Sequence, residues 1–346
     1  MSDNRTYKVI QWATGNVGSR GMRTIIEHPD MELVGLWVSS DAKAGKDAGD
    51  LCGLGNVGVV ATNSVDDLLA LDADCVSYMR QGFDCDEVCA ILESGKNISS
   101  TLADLNNPAM MDDNVRSRLE AACRKGGTSL YATGSSPGFS TEALVIPLLS
   151  MQRRLDLLTI DEFGDVSSRN SPEMLFQIMG FAQPMKPFEQ ERAEHLKAHF
   201  ANSMGLVADA MGLNFDEIEA GGEYSAARND IEIAAGRIPA GTVGAMRISI
   251  TGKHRGRPVM RMRLNWYATT DVEHTDWNLR ESGWRVLVEG DTPMNVEITY
   301  PVAPEDYAAF TPGLTAHRAV NAIPLVCEAE PGLHTTLTLP QIVPVF

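Results

Sequence analysis

Between Tyr7 and Tyr131 the chain alternates short runs rich in β-branched and aromatic residues with runs of helical pattern, and this alternation constrains the fold more than any other feature. YKVIQWA precedes GSRGMRTIIEH, MELVGLWVS precedes VDDLLAL, ADCVSYM precedes CDEVCAILES, and NISSTL precedes a helix around Val115 to Lys125, before TSLYATG closes the series. Strands separated by helices pair in parallel, with the crossover helices covering the sheet faces. The first strand meets the first helix at IQWATGNVGSRG. There Ala13, Thr14, Gly15, Asn16, Val17 and Gly18 fit the dinucleotide fingerprint, with Ala13 in the first glycine position. Gly15 falls where backbone must approach a pyrophosphate, and Gly18 where the helix packs on the strand. The helix N-terminus behind them offers N–H groups and a positive dipole end to that anion. A structural turn without a ligand is the alternative reading.

The end of the second strand selects between cofactors, because NAD-selective folds place a carboxylate there for the ribose diol. Here LVGLWVSSDAKAGK ends in Val38, Ser39 and Ser40, with Lys43 and Lys46 close behind. Hydroxyls and ammonium groups suit a 2′-phosphate, so NADP is expected. NAD stays possible through Asp41, and Lys46 reads equally as a solvated loop residue.

After Gly138 the pattern changes. RLDLLTIDEFGD, TVGAMRISITG, RPVMRMRLNWYATTD, GWRVLVEGD and MNVEITYPV have period-two patterning, and GKHRGR joins the middle pair as a hairpin. Phe188, Leu196, Phe200, Met204, Val207 and Met211 form a stripe at spacings near four and mark a long helix. The expected fold class is therefore α/β: an N-terminal Rossmann parallel sheet plus an α+β domain with a mainly antiparallel sheet. The apolar face of that second sheet needs a cover, from helices or from a second subunit.

Charge and composition narrow the partners. A net charge of −17 repels nucleic acid and anionic membrane. ALVIPLL is far too short to span a bilayer, and MSDNRTYKV has no leader pattern, so a cytoplasmic protein is expected. The six cysteines lack zinc-like pairs of pairs and read as buried thiols, with Cys85 and Cys89 on one side of a helix as core packing. His195 and His199 in HLKAH lack the glutamate of HExxH, since Leu196 fills its place, so no metal site is expected.

QWATGNVGSRGMRTIIEHPDMELVG, KAGKDAGDLCG, TGSSPGF, LTIDEF and VNAIPLV resemble the bacterial group of dihydrodipicolinate reductase N-terminal domain proteins that includes 2,4-diaminopentanoate dehydrogenase and the native amine dehydrogenases. The resemblance covers nearly the whole chain. Dihydrodipicolinate reductases proper carry a double histidine and a lysine with a PSGTA run, which this sequence lacks. The resemblance implies a Rossmann domain of residues 1–137 with 316–346, a dimerising substrate domain of residues 138–315, and an active site in the cleft between them. It implies a twofold homodimer and an NAD(P)-dependent oxidoreductase that interconverts an amine with its ketone and ammonia. The nicotinamide would be held by Ser135, Ser136, Pro137, Gly138 and Asn321, although Pro137-Gly138 reads equally as an interdomain turn.

Native amine dehydrogenases carry a glutamate where Asp104 stands in NISSTLADLNNP. A carboxylate beside the nicotinamide can orient an amine, take its proton and stabilise the iminium. Asp104 is the expected catalytic residue; its alternative role is to tie a turn-rich loop. Phe139, with Met174, Phe176 and Phe181 from SPEMLFQIMGF, would make an apolar substrate pocket or pack as helix core. Two other functions stand beside amine oxidation: NADPH-dependent reduction of a carbonyl or cyclic imine, with His317 or Tyr131 as proton donor, and a dinucleotide sensor without turnover.

Overall fold

β1 (Tyr7–Trp12) is buried at every residue except half-buried Lys8, as a strand covered on both faces of a parallel sheet must be. The computed structural model describes residues 5–346; the first residues of the N-terminal segment read as leaderless, Met1 to Asn4, lie outside the described residues. From β1 the chain runs through α1 (Asn16–Glu27), β2 (Met31–Trp37), α2 (Ala48–Cys52), β3 (Ala61–Thr62), α3 (Val65–Leu69), β4 (Cys75–Tyr78), α4 (Cys85–Glu93), β5 (Asn97–Ser100), α5 (Asp113–Gly126) and β6 (Ser129–Ala132). It continues through α6 (Val145–Leu149), β7 (Leu155–Asp165), α7 (Gln190–Ala210), β8 (Glu217–Ala226), β9 (Ile231–Ile233) and β10 (Gly236–Ile238). Then come β11 (Val243–His254), β12 (Arg257–Tyr267), β13 (Gly283–Gly290), β14 (Met294–Thr299), α8 (Tyr307–Asn321), α9 (Ile323–Glu328) and β15 (Gly332–His334).

Two compact units result: one up to Glu142 together with Thr311–Phe346, the other Ala143–Phe310. In the first, seven strands pair in parallel in the order β15-β6-β5-β4-β1-β2-β3. Alternation along β1 feeds two cores: Val9 packs with Met22, Ile25, Val320 and Ile323, while Ile10 packs with Leu68, Val88, Ile91 and Leu119. The strand order reverses beside β1, which is where open parallel sheets bind ligands at their carboxyl edge.

The second unit carries a six-stranded sheet, β14-β13-β7-β12-β11-β8, antiparallel except for the parallel pair β7 and β12. Leu158, Ile160, Met246, Ile248, Met262 and Val286 point to one face. Ala193, Phe200, Met204 and Val207 of α7 pack on it, with Val145, Leu148 and Leu149 of α6. The apolar face that was expected to need a cover is therefore covered by helices of the same unit. The opposite face is mixed: Phe163, Ala245 and Tyr267 pack there with Trp277, and fully buried Asp161 on β7 sits between Arg263 on β12 and Arg285 on β13, both directly opposite it in register. Arg263 donates to it at 2.5 and 2.8 Å, and Arg285 at 2.9 and 2.6 Å.

β8, EIEAGGEYSA, was not among the expected strands; pairing with β11 makes it one. A Cβ on Gly222 would stand 2.4 Å from the Phe188 ring, so that ring demands the glycine. Phe188 itself precedes the α7 N-cap, Glu189. Among the described residues no helix is long and apolar enough to cross a membrane.

Candidate dinucleotide and active site

The turn after β1 has the geometry its sequence requires. Ala13 adopts φ +78°, and its N–H donates to the Trp37 carbonyl at 2.9 Å, tying the turn to the end of β2. A Cβ on Gly18 would come within 2.3 Å of the Ala13 carbonyl oxygen, which fixes how closely α1 packs on the turn. Gly15, the N-cap, faces open space and its helix end has no side-chain cap, so the terminal N–H groups are left to an external acceptor.

Ala13, Thr14 and Gly15 line a cavity of about 470 Å³ with Ser39, Ser40 and Lys43. Lys43 Nζ donates to the Thr14 carbonyl at 3.1 Å and to Thr14 Oγ1 at 3.0 Å, which holds the ammonium beside the turn. Asp41 is bonded to Asn63 at 2.9 Å, and Lys46 is exposed and outside the cavity lining. Trp37 and Arg80 also line the cavity; sequence reasoning missed both. An uncapped helix end, a glycine-tight turn and an ammonium at one cavity fit a dinucleotide phosphate.

Along the same edge, the loops after β5 and β6 carry the other expected residues. Asp104 is exposed, in the short 3₁₀ turn Ala103–Leu105. It does not cap that turn, whose N-cap is Leu102. Gly138 adopts φ +125° and a Cβ there would stand 2.9 Å from Thr133 Oγ1, so only glycine fits. The segment is closed by Phe139 N–H to Gly134 at 2.8 Å and by Ser135 Oγ with Thr315 Oγ1 at 2.7 Å. Ser136 and Pro137 are half-buried, and Asn321, also half-buried, ends α8. The Arg318 guanidinium lies 5.6 Å from the Phe139 ring centre and donates to Thr133 Oγ1 at 3.0 Å, bracing the turn from α8.

Glu142 is a further residue that sequence reasoning missed: it is 1% exposed, yet ionisable. It accepts from Asn106 Nδ2 at 2.9 Å and from Thr336 Oγ1 at 2.6 Å, linking the Asp104 loop to the C-terminal tail. The available signal was a lone carboxylate opening the apolar run ALVIPLL. Tyr131 is buried, its hydroxyl 3.2 Å from Thr336 Oγ1. His317 keeps solvent contact, but partial desolvation, with the nearby charge of Arg20, holds its imidazole below the ordinary histidine range.

In the second unit Met174 is exposed and Phe176 half-buried, whereas Phe181 is fully buried in the apolar core, the alternative its sequence position allowed. His195 and His199 lie exposed on α7. Cys85 and Cys89 are half-buried thiols packed against the first unit's core.

A parallel sheet with this turn, joined in one chain to a mixed-sheet unit, defines the fold class: a Rossmann dinucleotide-binding sheet beside a second, mainly antiparallel unit. Within that class the chain belongs to the family of the 2,4-diaminopentanoate dehydrogenase C-terminal domain, which matches residues 139–345. It is 28% identical over 347 residues to an amine dehydrogenase of Streptomyces virginiae, covering 96% of this chain and 95% of that one. It is 23% identical over 283 residues to the 2,4-diaminopentanoate dehydrogenase of Acetoanaerobium sticklandii, covering 81% and 76%. The solved amine dehydrogenase of Mycobacterium smegmatis has the same fold, with a TM-score of 0.73, 18% identity and 97% of each chain covered.

Proposed function

We propose that this protein is an NADP-preferring amine dehydrogenase that converts a small apolar amine to its ketone and ammonia, and runs in reverse as a reductive aminase. The observation that carries this reading is the likeness to an amine dehydrogenase over 96% of the chain, on a fold whose glycine turn suits a dinucleotide phosphate. A bound nicotinamide supplies the hydride acceptor. The residues of the chain supply the rest. The N-terminus of α1 and Lys43 hold the phosphates, and the Ser135–Phe139 turn, braced by Arg318, holds the nicotinamide end with Asn321. Asp104 orients the amine and takes its proton as hydride leaves the carbon; water then adds to the C=N bond and ammonia departs. Phe139 gives the substrate an apolar contact. A twofold homodimer built on the second unit and a cytoplasmic location belong to the same proposal; a monomer in sedimentation at micromolar concentration would remove the first.

The test is Asp104→Asn. It should leave NADPH affinity and fold unchanged and lower amine turnover by about a hundredfold or more, the scale of a positioned acid or base. Asp104→Glu, longer by about 1.5 Å, should raise turnover. If the Asn variant retains full activity, Asp104 is a loop residue and the proton is handled elsewhere, with His317 the next residue to replace.

A further inference from the structure

Arg80 follows β4, the strand beside β1, and lines the same cavity as Ser39, Ser40 and Lys43. Its guanidinium is held on two sides. Nη1 donates to Glu87 Oε1 at 2.7 Å, and the group lies 5.4 Å from the centre of the Trp37 ring. Both supports are themselves fixed: Tyr78 donates to the same Glu87 oxygen at 2.5 Å, and Trp37 stacks on Trp12 at 5.3 Å. The fork is thus positioned in advance: Nη1 is given to Glu87 and Nε reaches the Gln81 carbonyl at 3.5 Å, which leaves N–H groups to spare. No residue lining the cavity is acidic, in a chain of net charge −17. A ribose diol would find no carboxylate in that lining, only the Lys43 ammonium and the Arg80 guanidinium, whose partner Glu87 lies outside it.

We infer that Arg80 is a cofactor-specificity residue, which joins Lys43 in binding the 2′-phosphate of NADP and so separates NADP from NAD. The inference rests on the dinucleotide reading above and deepens it. A planar fork suits phosphate oxygens two at a time, and bonds of this charged kind are the strong ones. Lys43 enters from the β2 side and Arg80 from the β4 side, so each contributes a cation that the other cannot replace.

The experiment is calorimetric titration of the purified protein with 2′,5′-ADP, which carries the 2′-phosphate, and with 5′-AMP, which lacks it. The parent should bind 2′,5′-ADP at least about tenfold more tightly than 5′-AMP. Arg80→Gln should shrink that ratio by about tenfold, the size of one charge-assisted hydrogen bond, by weakening 2′,5′-ADP alone. Equal weakening of both nucleotides, the mark of lost adenine stacking, overturns the inference, and so does no change in either. Should the Gln variant fail to fold, Arg80→Lys keeps the charge against Glu87 and loses the fork; its ratio should also shrink, and an unchanged ratio overturns the inference. If the parent binds neither nucleotide nor NADPH, the dinucleotide reading itself fails, which is a separate result.

Discussion

A methyl group at Gly18 would stand 2.3 Å from the Ala13 carbonyl oxygen, so Gly18→Ala must push α1 off the turn that shapes the proposed phosphate site. The expected cost is about 1–3 kcal/mol of stability, as for other overpacked contacts, with at least a tenfold loss of NADPH affinity. Denaturant unfolding and a binding titration check both, and a variant that binds like the parent contradicts the assigned role. Gly18 was legible in the sequence because a glycine between a strand and a helix answers a local backbone demand. Gly138 was legible in the same way, its φ of +125° being closed to other residues. Arg80 and Glu142 were not legible, because each owes its place to partners distant in sequence: Arg80 to the neighbouring end of β2 at Trp37, and Glu142 to Asn106 and Thr336. Phe181 was legible only as an apolar residue, and nothing local chose the core over a pocket.

At the scale of elements, α1 ends in a pH-sensitive cap. His28 follows its last turn, and His28 Nδ1 accepts the Asp30 N–H at 3.1 Å, which requires an unprotonated ring nitrogen. Partial burial lowers the His28 pKa below its ordinary value of 6.5. Between the folded and unfolded values the native state binds fewer protons than the unfolded chain, so stability rises with pH across that window. The contribution is therefore full above about pH 6.5 and is lost as pH falls towards the folded value. Unfolding measured at pH 7.5 and pH 5.5 should show a smaller difference for His28→Gln than for the parent; an equal difference would rule out the cap as a source. The helix stripe of α7 was readable, since Phe200, Met204 and Val207 recur at its period. β8 was not, because two of its residues are glycines and only the Phe188 ring and the pairing with β11 explain them. The cover of the second sheet was left open between helices and a second subunit for a related reason: periodicity marks an apolar face but does not say what lies on it.

For the whole molecule, the alternation of strands and helices up to Tyr131 was enough to specify a parallel sheet, and the period-two runs after it a mainly antiparallel one. The return of the C-terminal segment to the first unit, where β15 pairs with β6, carries no local signal in its three residues and came from the resemblance alone. The proposed function at this scale is the transfer of a hydride from a carbon bearing nitrogen, and the central claim is that the chain oxidises amines. The most direct measurement is reduction of NADP by the purified protein over a panel of small apolar amines, with ammonia determined in the same samples. The expected result is amine-dependent formation of NADPH, one ammonia released per NADPH formed, and slower reduction of NAD at equal concentration. Oxidation of NADPH by ketones or cyclic imines without added ammonia, together with no reduction of NADP by any amine, would contradict it.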